Sequence, residues 1–409
     1  RLVGEIVAGI LLGPFVLGNF SPAAFDYLFK NPAIGEDKTK IILGFVYWLG
    51  VLLLMFISGS SVRRLLSKEN RRETAWILGI GTPLPFLLVM GAGLLSLIPL
   101  DPLVGVQGVQ ISALLVLASA VAVTSIPVIS RIFHDLGILH TRFASLILGS
   151  AVLEDIALWG VLAVATALTK QTSLAEQGIV GSTATHLLVV VAYMAAALVV
   201  MPTVLRFLRR TRWNILFRAS PLAYAIMVLF AYVGVAAYFE VNLVFAAFLA
   251  GFGLAGGIQG EERQYFADAL DSIRKFSFAV FTPVYFALVG FRLVFGREFS
   301  LSMFLIFLFL SSLVALLSVG FAAKLAGFRR LDILNLAITT NARGGPGIVL
   351  ASVAYEAGII SAAFYTTLVL TAIITSQAAG FWLRFVLHKG WPLLSTDPDE
   401  GAIVQHHAA

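Results

Sequence analysis

Residues 149–161 read GSAVLEDIALWGV, and two carboxylates, Glu154 and Asp155, stand side by side in them. Along the chain the nearest other charges are Arg142 and Lys170. Both acids lie about twelve residues from either end of an apolar segment, which at 1.5 Å per residue puts them near the midplane of a bilayer. A charge there costs at least about 2.5–3.5 kcal/mol on insertion scales, and is kept where it faces a water-filled cavity or a partner. A carboxylate in such a cavity holds either a proton or a hard monovalent cation, but not both at full strength. If the site faces the two sides of the membrane in turn, that competition is sufficient for cation/proton exchange. Adjacent helical residues point about 100° apart, so the two acids do not fully share one environment. One can face the cavity and bind a cation while the other meets a neighbouring helix or a positive partner. A buried acid that only serves helix packing is the plainer alternative, and two of them together at the midplane make it the poorer one.

A positive partner is at hand in Arg343, the only basic residue well inside a late apolar segment. It is expected to pair with Glu154 or Asp155, or to bond exposed carbonyls. Asn341 beside it offers a carbonyl oxygen to a cation. The elements that must position these groups are two interrupted helices. The segment 110–133 contains AVTSIPVIS with Pro127 in its middle, and the segment 333–356 contains TTNARGGPGIV with Gly344, Gly345, Pro346 and Gly347. Proline removes a donor and clashes with the preceding turn, and glycine loosens a helix further. Thr124, Ser125, Thr339, Thr340 and Asn341 beside the breaks can satisfy the freed backbone groups. Unwound backbone at membrane depth is tolerated only where it lines a cavity or is buried in protein.

The remainder of the chain fits a membrane setting. Of 409 residues, 59% are hydrophobic and 12% charged, and the mean hydropathy is +0.94. A soluble domain carries about a quarter charged residues. Apolar runs long enough to span a bilayer recur throughout, giving a polytopic all-α membrane protein. Twelve segments are expected, at about 3–20, 42–60, 75–99, 110–133, 143–169, 184–206, 219–237, 241–258, 276–295, 301–325, 333–356 and 361–388, with longer loops at 21–41 and 259–275. Of the 28 Lys and Arg, twenty-one fall in loops on one side and six on the other, with Arg343 the remaining one. The positive-inside rule then places the C-terminus in the cytoplasm. EIVAGILLGP in the first segment is similar to AAFLAGFGLAG in the eighth, and LMFISGSSVRRL in the second to VYFALVGFRLVF in the ninth. Both pairs are seven segments apart, as are the two breaks, and an odd offset means inverted repeats, a mark of secondary transporters.

Several functions are excluded. There is no cysteine, hence no disulfide framework or thiolate metal site. No phosphate-binding loop is present, so the chain is not itself an ATPase. GFGLAGG follows no strand and is packing glycine. The net charge of +6 resides in membrane-flanking loops and is not a nucleic-acid footprint. An intramembrane aspartyl hydrolase would need two aspartates from different helices, and here the acids are consecutive. No enzymatic activity, cofactor or resident metal is expected.

On the stretches LVGEIVAGILLGPFVLG, LLLMFISG, SAVAVTSIPVISRIF, LGSAVLEDIALWGVL, FAAFLAGFGLA and TTNARGGPGIVLA, the chain resembles the monovalent cation:proton antiporter superfamily, in the branch of Kef-type and sodium/proton exchangers. The resemblance implies the sodium/proton-antiporter fold, with inverted repeats and two crossed broken helices. It implies a core domain including about 75–169 and 276–356, a dimerisation domain including about 1–20 and 184–258, elevator-like movement and a homodimer in membrane lipid, in a bacterial inner membrane. It also implies that the family's first helix is missing from this numbering. The chain is then a single transporter unit ending in a short, disordered cytoplasmic tail at 392–409. By motif, Asp155 matches the ion-binding aspartate and Glu154 the residue before it; Thr124 and Ser125, beside the first break, are expected to join them in binding the cation or proton. The chain departs from the pattern in having Glu at that preceding position, no lysine in the tenth segment before Lys324, and no Kef-type nucleotide-binding domain. The expected function is exchange of Na⁺ or K⁺ for protons, one for one and electroneutral, with Arg343 holding Glu154 ionised. A sodium-coupled symporter of an organic anion and a cation sensor without turnover are the alternatives, the first wanting a roomier polar cavity and the second an output domain.

Overall fold

The structure is a computed structural model that describes residues 2–29, 36–65, 71–139, 141–175, 183–210, 217, 219–255, 262–296 and 299–395. The helices in chain order are α1 (Leu2–Leu12), α2 (Leu17–Phe20), α3 (Pro22–Phe29), α4 (Glu36–Leu65), α5 (Arg71–Trp76), α6 (Pro83–Leu94), α7 (Gln110–Ala122), α8 (Ile126–Asp135), α9 (Arg142–Ala175) and α10 (Thr183–Ala195). They continue with α11 (Met201–Arg210), α12 (Pro221–Tyr238), α13 (Leu243–Ala255), α14 (Glu262–Phe276), α15 (Thr282–Phe291), α16 (Leu301–Leu325), α17 (Arg330–Thr340), α18 (Gly344–Glu356) and α19 (Ala362–His388). Among the described residues the β structure is one isolated antiparallel bridge, Val104 to Ile360.

By length and composition, nine helical spans among the described residues can cross a membrane. The shorter α13 and the two interrupted pairs, α7 with α8 and α17 with α18, account for the other three of the twelve expected segments. The loop expected at 259–275 is in its described part a helix, α14, whose polar sequence ERQYFADALDSIRKF hides it from a search for apolar runs. The tail expected from Pro392 is ordered in its first residues. Leu393 and Leu394 are buried, Asn335 Nδ2 donates to Leu393 O (3.0 Å), and Ser395 N–H and Oγ–H donate to the Asp332 carboxylate at 2.7 and 3.0 Å. The remaining tail, 396–409, lies outside the described residues.

One rule explains where these helices deform. A proline at position i cannot bond the carbonyl at i−4, and its ring crowds that carbonyl. Three π-turns, Ile77–Gly81, Ala196–Val200 and Ser277–Phe281, are each centred four residues before a proline: Pro83, Pro202 and Pro283. The same spacing places the full interruptions. Val123, between α7 and α8, lies four residues before Pro127, and Ala342, between α17 and α18, four before Pro346. Each interruption therefore falls upstream of its proline, which sits in the first turn of the helix that follows, where proline is tolerated.

The chain divides into two compact units, Arg1–Arg63 with Gly178–Glu298, and Arg64–Gln177 with Phe299–Ala409. The segment 276–295, expected in the same body as the interrupted helices, belongs to the first unit, because α15 packs along α1. Glycine makes that contact: a Cβ on Gly9 would strike the carbonyl of Ala287, and one on Gly290 the carbonyl of Ile6. In the same unit a Cβ on Gly59 would strike the carbonyl of Phe248, and one on Gly251 that of Phe56. These four glycines lie in the four stretches whose similarity marks the repeat. First against ninth segment, and eighth against second, are the two images of one helix contact under a seven-segment inverted repeat.

Candidate cation site

The second unit brings both interruptions together. Ser125 N–H donates to Ala342 O (2.7 Å) and the Thr124 hydroxyl to Thr340 O (2.9 Å). Ala342 is the residue whose carbonyl Pro346 leaves without an N–H, so one break supplies the donor that the other lacks. Arg343 N–H and Gly344 N–H donate to Thr375 Oγ1 (3.4 Å) and Ser376 Oγ (2.9 Å) of α19. Every one of these freed groups is thus answered by protein, as backbone at membrane depth requires. Gly344 has φ +29°, and a Cβ there would sit 2.5 Å from both Ser125 Oγ and Val128 Cγ2, so only glycine lets the breaks meet. Gly345 and Pro346 are buried in the first turn of α18, and Pro127 is the second residue of α8.

Against this junction lies the midpoint of α9. Glu154 and Asp155 are buried, at 4% and 0% exposure. Glu154 Oε2 accepts from the Thr82 hydroxyl (3.0 Å), while Glu154 Oε1 and both Asp155 oxygens are buried without a hydrogen-bond partner. A cavity of about 20 Å³ opens beside them, lined by Thr82, Thr124, Ser150, Glu154, Thr340 and Asn341 among apolar residues. A buried water needs roughly 10–15 Å³, so the space holds one water or one small ion. Its polar walls are almost all oxygen, the donor type that hard cations take. Of the two acids it is Glu154 that faces the cavity. Asp155 is not in its wall, and Ser125 Oγ is a further buried oxygen without a partner.

Arg343 departs from expectation. Its guanidinium donates to Ser311 Oγ of α16 (2.9 Å) and to Asn341 Oδ1 (3.3 Å), and stands over the Phe307 ring at 5.9 Å. Among the described residues it makes no ion pair with Glu154 or Asp155: two of its nitrogens turn to α16 and to the break itself, and Nε is buried without a partner. It also engages the Asn341 carbonyl oxygen that was expected to face a cation. The sequence reading missed Thr82, Ser150, Ser311, Thr375 and Ser376. Each is a hydroxyl, single or in an adjacent pair, in an apolar span, and the one available signal was its polarity there, as in GIGTPLP and FLSSLVAL.

The chain matches the sodium/hydrogen exchanger family, transmembrane, over residues 1–389. It is 26% identical over 396 residues to K(+)/H(+) antiporter 1 of Saccharomyces cerevisiae, covering 92% of this chain but 42% of that protein, so it spans less than half of the yeast relative's length. Against the Na(+)/H(+)-K(+) antiporter GerN of Bacillus cereus the identity is 23% over 393 residues, covering 94% and 89%. The solved structure of the sodium proton antiporter MjNhaP1 from Methanocaldococcus jannaschii shares the fold, with a TM-score of 0.55 at 13% identity over 99% of this chain and 91% of that one. An all-helical membrane chain with two interrupted helices meeting at buried acids, matched from end to end of its described helices, belongs to the sodium/hydrogen exchanger family.

Proposed function

We propose that this chain exchanges a monovalent cation, Na⁺ or K⁺, for protons across a membrane, with Glu154 and Asp155 as the shared site. The observation that carries this reading is the pair of buried acids beside a one-ion cavity, at the meeting of two interrupted helices. Glu154 meets the cavity, Asp155 stands behind it, and the hydroxyls of Thr82 and Thr124 complete the polar wall. Alternation is elevator-like, the unit that holds the site moving as one body. The other unit is the scaffold through which two copies associate in the lipid of a bacterial inner membrane, the C-terminus in the cytoplasm. The relatives' names, which include a K(+)/H(+) and a Na(+)/H(+)-K(+) antiporter, agree with this cation class. A cavity of about 20 Å³ leaves no room for an organic anion, which weighs against symport.

Exchange is one for one and electroneutral in this scheme, though not through an Arg343 ion pair. In this scheme the pair carries a net charge of −1 whether it holds a proton or a cation, because low dielectric penalises a second net charge. One proton is then traded for one cation. Proton flux into proteoliposomes, titrated separately with Na⁺, K⁺ and Li⁺, tests the activity. An imposed membrane potential tests the charge balance: cation accumulation driven by potential alone would exclude electroneutral exchange.

A further inference from the structure

We propose that Thr82 is a positioning residue that sets the cation affinity of Glu154, and that the π-turn before Pro83 is what aims it there. The inference rests on the cation/proton reading of the site. Hydroxyls on the helices of this chain typically bond their own backbone: Thr166 donates to Ala163 O, Thr169 to Ala165 O, Thr339 to Asn335 O, Thr367 to Ala363 O. Thr82 does not. It gives its one proton to Glu154 Oε2, 72 residues away, at 3.0 Å in a buried setting. A hydroxyl has one proton and two lone pairs, so the same oxygen that donates to Glu154 also offers lone pairs to the cavity it lines. The donation fixes Oε2, Thr124 also approaches the carboxylate, and Oε1 is left for the ion.

The direction of Thr82 follows from Pro83. The ring at 83 crowds the Gly79 carbonyl, and the widened turn Ile77–Gly81 absorbs one extra residue. A regular α-helix would turn Thr82 by about 100° relative to the stretch before it. The groups facing Glu154 are few. Asp155 adjoins it on α9. Arg343 reaches the cavity wall only through its bond to Asn341. Among the described residues, the cavity walls given by α6, the π-turn, α7, α16 and α17 hold no other charged side chain.

Thr82→Val keeps the shape and removes the donor. A hydrogen bond to a charged group is lost, so the apparent KM for the cation rises about tenfold and the pH of half-maximal exchange moves about one unit to the alkaline side. The alkaline direction follows because the anionic form, which binds the cation, has lost its donor. Thr82→Ser restores both values. Pro83→Ala, which keeps the hydroxyl but lets the turn close, reproduces the Thr82→Val profile. The readout is cation-driven proton flux in proteoliposomes across pH. Absence of flux in the unaltered protein overturns the exchange reading itself. With flux present, an unchanged KM and pH profile in Thr82→Val, or a fall in kcat alone, overturns the role of Thr82. A wild-type profile in Pro83→Ala overturns the role of the π-turn.

Discussion

Asp155 is buried with both oxygens unpartnered, next to an acid that faces a cavity. Asp155→Asn is therefore expected to abolish cation-dependent proton flux while the purified protein keeps its helix content by circular dichroism. Glu154→Gln removes the carboxylate that faces the cavity and is expected to abolish cation-dependent flux as well. The two acids were legible in the sequence because a charge in an apolar span carries a cost that packing alone does not recover. Arg343 was legible for the same reason, but its partner was not. Sequence shows which residues are charged, and only tertiary placement shows that Ser311 and Asn341 take the guanidinium. Arg343→Ala should accordingly leave the charge balance of exchange unchanged. It should lower stability by about 1–3 kcal/mol through the stranded Ser311 and Asn341, read as a lower melting temperature in detergent. Hydroxyls such as Thr82 stay illegible, since serine and threonine in membrane helices mostly bond their own backbone.

At the scale of the element, one spacing accounts for five deformations: the carbonyl four residues before a proline is where the helix yields. The breaks were legible from Pro127 and Pro346, but they lie upstream of them, at 123–125 and 341–343. At the second break a partner is on offer. Ala342 O finds Ser125 N–H, and glycine at 344 clears the approach. Pro346→Ala would return an N–H to Ala342 O in competition with Ser125. The expected result is loss of exchange with a melting temperature equal to or above that of the unaltered protein. Gly344→Ala places a methyl against Ser125 and Val128 at a positive φ. It should cost both activity and about 1–3 kcal/mol of stability.

For the whole molecule, hydropathy made the twelve segments legible, since the bilayer fixes their length. It did not assign α15 to its unit, because an apolar helix does not declare its neighbour. The glycines at 9, 290, 59 and 251 do so, by admitting backbone carbonyls. Alanine at Gly59 or Gly251 should lower the melting temperature markedly, whereas alanine at Gly4 or Gly44, where a Cβ meets nothing within 4 Å, should not. The strap at Pro392–Ser395 bears on how such a molecule is made. It is synthesised after all twelve segments, yet it supplies partners to Asp332 and Asn335 at the start of α17. During insertion α17 must enter the membrane with a buried acid still incomplete, and the second interrupted helix is finished only when the strap emerges and folds back. Truncation after Lys389 is then a defect of biogenesis. It should reduce the amount of protein that reaches the membrane far more than the turnover of each molecule that does, a difference seen by comparing membrane yield with flux per molecule.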